Sequence, residues 1–144
     1  MQDLPHRYAV SARAAAEGEV VVSSRGVGEI PTAAPAEFGG PGDRWSPETL
    51  LVAAVADCFV LSFRAIARAS GFAWRDLDCK AEGVLDRVDG TLRFSDLHVR
   101  ARLVVQEGTD EARARRLLEK AEKSCLVSNS LLARRHLALE VVKA

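Results

Sequence analysis

The sequence has no excess charge of either sign. Lys and Arg together number 20, and so do Asp and Glu. The chain therefore offers no electrostatic footprint for nucleic acid or an anionic membrane. Cysteine is scarce: Cys58, Cys79 and Cys125 are an odd count and form no CxxC. That argues against a secreted disulfide framework and against a thiolate zinc site. The histidines His6, His98 and His136 lie far apart and show no metal-ligand spacing. No metal and no other cofactor is expected. There is no GxSxG, no P-loop, no GxGxxG and no Cys-His-Asn hydrolase signature. The start MQDLPHRYAVSA has no apolar core behind a basic stretch, so no secretory leader is expected. The longest apolar stretch, Leu50 to Phe63, is broken by Asp57 and reads as too short to span a bilayer. The expectation is a cytoplasmic protein with reduced thiols, bound to neither nucleic acid nor membrane.

What remains is enough for one domain with a real core. The chain has 144 residues, of which 48% are hydrophobic. All five prolines lie at or before Pro47, which sets the N-terminal third apart. Tyr8 to Arg13 and Glu19 to Ser24 read as short strands of a hairpin. The segment GVGEIPTAAPAEFGGPGDRW reads as a loop, since glycine and proline crowd it. Ser46 is a good N-cap and Pro47 a good first helical residue; Gly71 is a stop signal. A helix is predicted between them, roughly 35 Å long at ~1.5 Å per residue. Cys58 shares a face of it with Leu51, Ala54, Val55, Leu61, Ser62 and Ala65, while Asp57, Arg64 and Arg68 form a narrow polar stripe. A helix so apolar all round needs cover on most sides, and a second copy of the chain is the simplest cover.

Strand alternation then runs from Leu77 to Asp86, followed by the Asp89-Gly90 hairpin signal. The next strand changes parity at Ser95-Asp96, which predicts a bulge. Thr109-Asp110-Glu111 caps an amphipathic helix through Lys123, with Leu117, Leu118, Ala121 and Cys125 on its apolar side. Leu137, Leu139 and Val141 suggest a closing strand. The order of strands, helix, strands, helix and strand is that of an α+β domain spanning residues 1–144.

The thiols carry the chemical question. Cys79 lies on the apolar parity of its strand and reads as a small buried hydrophobe. Cys58 is open to two readings. Free cysteine is among the most buried residue types, and an ionised Asp57 close by would raise the thiol pKa. Ser62, one turn on, could donate to a thiolate. Cys125, with Ser124, Ser128 and Asn129 near it, is equally open.

The segment WSPETLLVAAVADCF resembles the part of the OsmC/Ohr family in which Asn-Pro-Glu opens a long helix carrying the first catalytic cysteine. Glu48 and Cys58 stand ten residues apart, as the family's pair does. The strands of LDCKAEGVLDRVDGTLRFSDLHVRARLVV are similar to those of OsmC, and KSCLVSNSLL resembles the second-cysteine motif, with Leu126 where proline is usual. The resemblance runs from Tyr8 to Val142 in the same element order.

It implies an OsmC-like fold, with antiparallel sheets around a long central helix bearing Cys58, in an intertwined homodimer. It also implies a thiol peroxidase acting on organic hydroperoxides. Cys58 would become a sulfenic acid, Cys125 would condense with it to a disulfide, and a dithiol or lipoylated-protein reductant would restore both. The family holds the thiolate with an arginine paired to the motif glutamate, here Glu48. Arg13, near the first hairpin turn, and Arg44, four residues before Glu48, are the candidates. The alternative is a non-enzymatic OsmC-like domain that binds a small apolar or electrophilic ligand at the dimer cleft.

Overall fold

Asp89 and Gly90 turn the chain back on itself with positive φ, 51° and 79°, as a two-residue hairpin loop requires. The turn joins β4 (Asp76–Val88) to β5 (Thr91–Val105), and the two strands pair antiparallel along their whole length. The ladder steps from Val84–Asp96 to Leu85–Phe94 and leaves Ser95 unpaired. This is the bulge that the parity switch predicted. The computed structural model describes residues 1–144 and forms two compact units, Met1–Leu51 and Val52–Ala144.

In the first unit, β1 (Ser11–Arg13), β2 (Val20–Ser23) and β3 (Ile30–Thr32) make an antiparallel sheet in that order. The stretch expected to be loop therefore holds a third strand and a short 3-10 turn, Ala36–Phe38. Pro31 is tolerated there because β3 is an edge strand. Thr32 is buried and donates to the Val20 carbonyl at 3.1 Å. Ala33 N–H bonds the Trp45 carbonyl at 3.0 Å and ties the strand to the approach of the long helix.

That helix, α1 (Pro47–Ala69), opens in the first unit and continues through the second. Ser46 is its cap: Ser46 Oγ accepts from Thr49 N–H at 3.1 Å, and Thr49 Oγ1 accepts from Ser46 N–H at 2.9 Å. The reciprocal pair satisfies two backbone donors at the helix entrance. At the far end Gly71 takes φ 58°, and Phe72 N–H returns to the Ala67 carbonyl at 2.9 Å. This is the glycine-terminated stop the sequence signalled. By length and composition α1 would suffice to cross a bilayer, a point the short Leu50–Phe63 reading missed. One stripe of it packs into a protein core instead.

The stripe is Val55, Phe59, Phe63 and Ala67, each 0–1% exposed at a spacing of four residues. It joins Leu97, Val99, Ala101, Leu103 and Val105 from β5, and Ala114, Leu118 and Ala121 from α2 (Glu111–Ser124). Trp74 meets the Phe63 ring edge-on at 5.4 Å. Each large side chain of this set contributes about 1.5–3 kcal/mol by leaving water.

After α2 the chain makes one further turn, α3 (Leu126–Asn129), and enters β6 (Arg134–Lys143). β6 pairs with β5 in parallel, so the second sheet is mixed, not antiparallel throughout. The helical connection accounts for it, because a crossover of this length returns the chain to the end of the sheet where β5 began. The architecture is α+β, with two three-stranded sheets and one long helix.

Candidate active site

Burial of the Val55–Ala67 stripe fixes the rotation of α1. Cys58 precedes Phe59 and so sits at the rim of the core, half-buried, while Asp57, Leu61, Arg64 and Ala65 on the outer side are exposed. Phe59 and Phe63 are buried in the core, and Leu61, read on the Cys58 face, is exposed. Cys58 Sγ lies 4.0 Å from Ser62 Oγ, one turn on, as the spacing suggested.

The second thiol comes from the junction of α2 and α3. Cys125 takes an extended backbone conformation (φ −65°, ψ 106°) that ends one helix and begins the next. It is 1% exposed, and its Sγ donates a long contact of 4.0 Å to the Val55 carbonyl. Val55 lies one turn before Cys58 on α1, and each thiol shifts the pKa of the other. Both are free.

The two environments push the thiols apart. Burial works against the Cys58 thiolate, but the backbone N–H groups of Val127 and Leu126, the Cys125 thiol and the Ser62 hydroxyl outweigh it. The net effect is to lower the Cys58 pKa. Burial dominates at Cys125 and raises its pKa; the Ser128 contacts oppose it, and the nearby Cys58 adds to it. Cys79 is half-buried on β4 and is pushed up to about 11 by burial, with Asp78 and Cys125 adding to it. Its thiol stays protonated and inert at neutral pH, which agrees with a structural reading.

Sequence reasoning missed Arg135, which braces the Cys125 segment. Its Nε pairs with Glu122 Oε1 at 2.5 Å, one terminal nitrogen donates to Asn129 Oδ1 at 2.6 Å, and the other donates to the Glu122 carbonyl. One guanidinium thus clamps the end of α2 to the end of α3, on either side of Cys125 and the amides that face Cys58. The only available signal was an arginine pair opening β6, where alternation sends Arg134 and Arg135 to opposite faces.

The remaining candidates lie in the first unit. Glu48 is in the first turn of α1, ten residues from Cys58 and so ~15 Å away along the axis. Its Oε2 is buried with no hydrogen-bond partner. It borders an apolar cavity of about 470 Å³ with Val20, Val22, Thr32, Phe38 and Leu50. Neither candidate arginine pairs with it. Arg44 is engaged by Glu19 at 2.8 Å and Asp43 at 3.3 Å, and the Glu19 hydrogen bond raises its pKa. Arg13 is exposed on β1, opposite Val21. The structure therefore brings Cys58, Cys125 and Ser62 together and leaves the Glu48 carboxylate unpaired within its own chain.

Comparison with known proteins gives this arrangement a context. The model of the OsmC-like protein family matches residues 40–140. The uncharacterized YmaD protein of Bacillus subtilis is 30% identical over 109 residues, covering 74% of this chain and 73% of the relative. An OsmC-like protein of unknown function from Vibrio cholerae superposes with a TM-score of 0.82 at 17% identity, over 96% of this chain and all of that one. The organic hydroperoxide resistance protein OsmC of Legionella pneumophila superposes with a TM-score of 0.72 at 24% identity, over 97% and 99% of the two chains. The family match covers both cysteines and the whole of α1, and the shared fold extends beyond it: this chain is a member of the OsmC-like family.

Proposed function

We propose that this protein reduces organic hydroperoxides through Cys58 and Cys125. The observation that carries the reading is the pairing of two free thiols whose surroundings shift their pKa values in opposite directions. Similarity to the Legionella protein, named for organic hydroperoxide resistance, supports the substrate class.

In this mechanism the Cys58 thiolate attacks one peroxide oxygen. An S–O bond forms, the O–O bond breaks, and the alkoxide leaves as an alcohol after taking a proton. Cys58 is then a sulfenic acid. The Cys125 sulfur attacks the Cys58 sulfur, its proton leaves with the hydroxyl as water, and a disulfide remains. A dithiol reductant restores both thiols by two exchanges. The order of roles follows from access and ionisation: Cys58 is half-buried with a lowered pKa, whereas Cys125 is buried with a raised one.

The second chain enters through α1. Only 22% of its most apolar window is buried in one chain, and the Glu48 Oε2 has no partner. A homodimer with crossed α1 helices would cover the first and would bring Glu48 to the partner's Cys58. The same apolar cavity beside Glu48 suits the alternative of a ligand-binding, non-enzymatic domain, which turnover measurements separate from the peroxidase.

Cys58→Ser is expected to abolish peroxide turnover. Cys125→Ser is expected to permit one oxidation and then to accumulate sulfinic acid, while Cys79→Ser keeps the chemistry. A steady-state assay with cumene hydroperoxide and a dithiol reads all three, and an active Cys58→Ser protein would overturn the assignment.

The pH dependence of alkylation follows from the shifts. The folded pKa of Cys58 is lowered, so its thiolate persists below the ordinary cysteine value of about 8.5 and is lost only as pH falls through the lowered value. Cys79, raised to about 11, is protonated throughout that range. Iodoacetamide at neutral pH is expected to label Cys58 first, as read by peptide mapping; earlier labelling of Cys79 would contradict the site.

Mixed dimers of Cys58→Ser and Glu48→Gln chains test the shared site. In one of their two sites native Cys58 meets native Glu48, so about half the wild-type activity is expected from two nearly inactive parents. No recovery would show that Glu48 does not serve the partner's thiol.

A further inference from the structure

His98 and His136 are far apart in the chain, yet the parallel register of β5 and β6 sets them side by side. Their rings stack at 4.3 Å with planes 10° apart. Asp96, two residues before His98, shares its face of the sheet, and its Oδ1 lies 2.8 Å from His136 Nε2. One ligand atom from each of Asp96, His98 and His136 falls within 4.8 Å of the other two. Both histidines are exposed and Asp96 is half-buried. The linear spacing of the histidines concealed this meeting, which is why the sequence suggested no metal site.

We propose that Asp96, His98 and His136 form a binding site for a divalent transition-metal ion of the zinc class, on the face of the second sheet opposite its core. Two imidazoles and one carboxylate are a donor set that zinc takes, with a fourth position left open. Zinc–ligand bonds of about 2.0–2.1 Å place tetrahedral ligands ~3.3 Å apart. The carboxylate is already oriented: His136 Nε2 lies 2.8 Å from its Oδ1, and Arg134 donates to its Oδ2 at 3.1 Å. Arg134 braces Asp96 at 3.1 Å, in the manner of an outer group that orients a ligand.

The surroundings are of mixed charge. Glu82 stands directly opposite His98 on β4. Lys80 and Arg100 share a surface depression with it and oppose a cation. A metal must also displace the hydrogen bond between His136 Nε2 and Asp96 Oδ1.

The test is a calorimetric titration of Zn²⁺ into the full chain carrying Cys58→Ser and Cys125→Ser, so that the two thiols do not compete. One ion per chain is expected, with binding weakened at least about tenfold by His98→Ala, by His136→Ala and by Asp96→Asn. Histidine-ring NMR of the wild-type chain is the second measurement, and Zn²⁺ is expected to shift the His98 and His136 signals and leave His6 unmoved. Absence of saturable binding, equal affinity after either histidine substitution, or unmoved His98 and His136 signals would overturn the proposal.

Discussion

The buried stripe of Val55, Phe59, Phe63 and Ala67 sets the geometry on which the rest depends. Four side chains at a spacing of four residues lock α1 in one rotation against β5 and α2. Any other rotation would expose two phenylalanines and cost several kcal/mol. With the rotation fixed, Cys58 lands at the rim of the core, where a thiol is both sheltered and reachable. The same packing brings the Val55 carbonyl to Cys125. The core thus positions the chemistry without contributing to it.

A second constraint is the break between α2 and α3. A continuous helix would tie the amides of Leu126 and Val127 into its own ladder. The extended backbone at Cys125 frees them to face Cys58, where they offset the burial that would otherwise keep its thiol protonated. Arg135 holds the break in place from the neighbouring strand. Cys125, two bonds from the same pivot, is buried with a raised thiol pKa beside a thiol whose pKa is lowered.

Much of this was legible in the sequence because it is encoded locally. Ser46, Pro47 and Gly71 mark the ends of α1, Asp89-Gly90 marks the hairpin, and the change of parity marks the Ser95 bulge. What was hidden is not local. A helix apolar on nearly every side does not reveal which face turns inward, so the stripe of Val55, Phe59, Phe63 and Ala67 was not singled out. Alternation gives the face of a strand but not its direction, so the parallel β5–β6 pairing and the contact of His98 with His136 went unseen. β3 is three residues long and contains proline, too little for a pattern. The meeting of Cys58 and Cys125 was indicated only by family resemblance. Glu48 finds no partner in its own chain: Arg44 is held by Glu19 and Asp43, and the carboxylate has an oxygen left over.

The central claim is that Cys58 and Cys125 act as one redox pair. Intact-mass spectrometry after one equivalent of cumene hydroperoxide tests it most directly. The account predicts a chain two hydrogens lighter, with a Cys58–Cys125 disulfide in the peptide map, and full return to the starting mass with a dithiol. An unchanged mass, or a disulfide that involves Cys79, would contradict it.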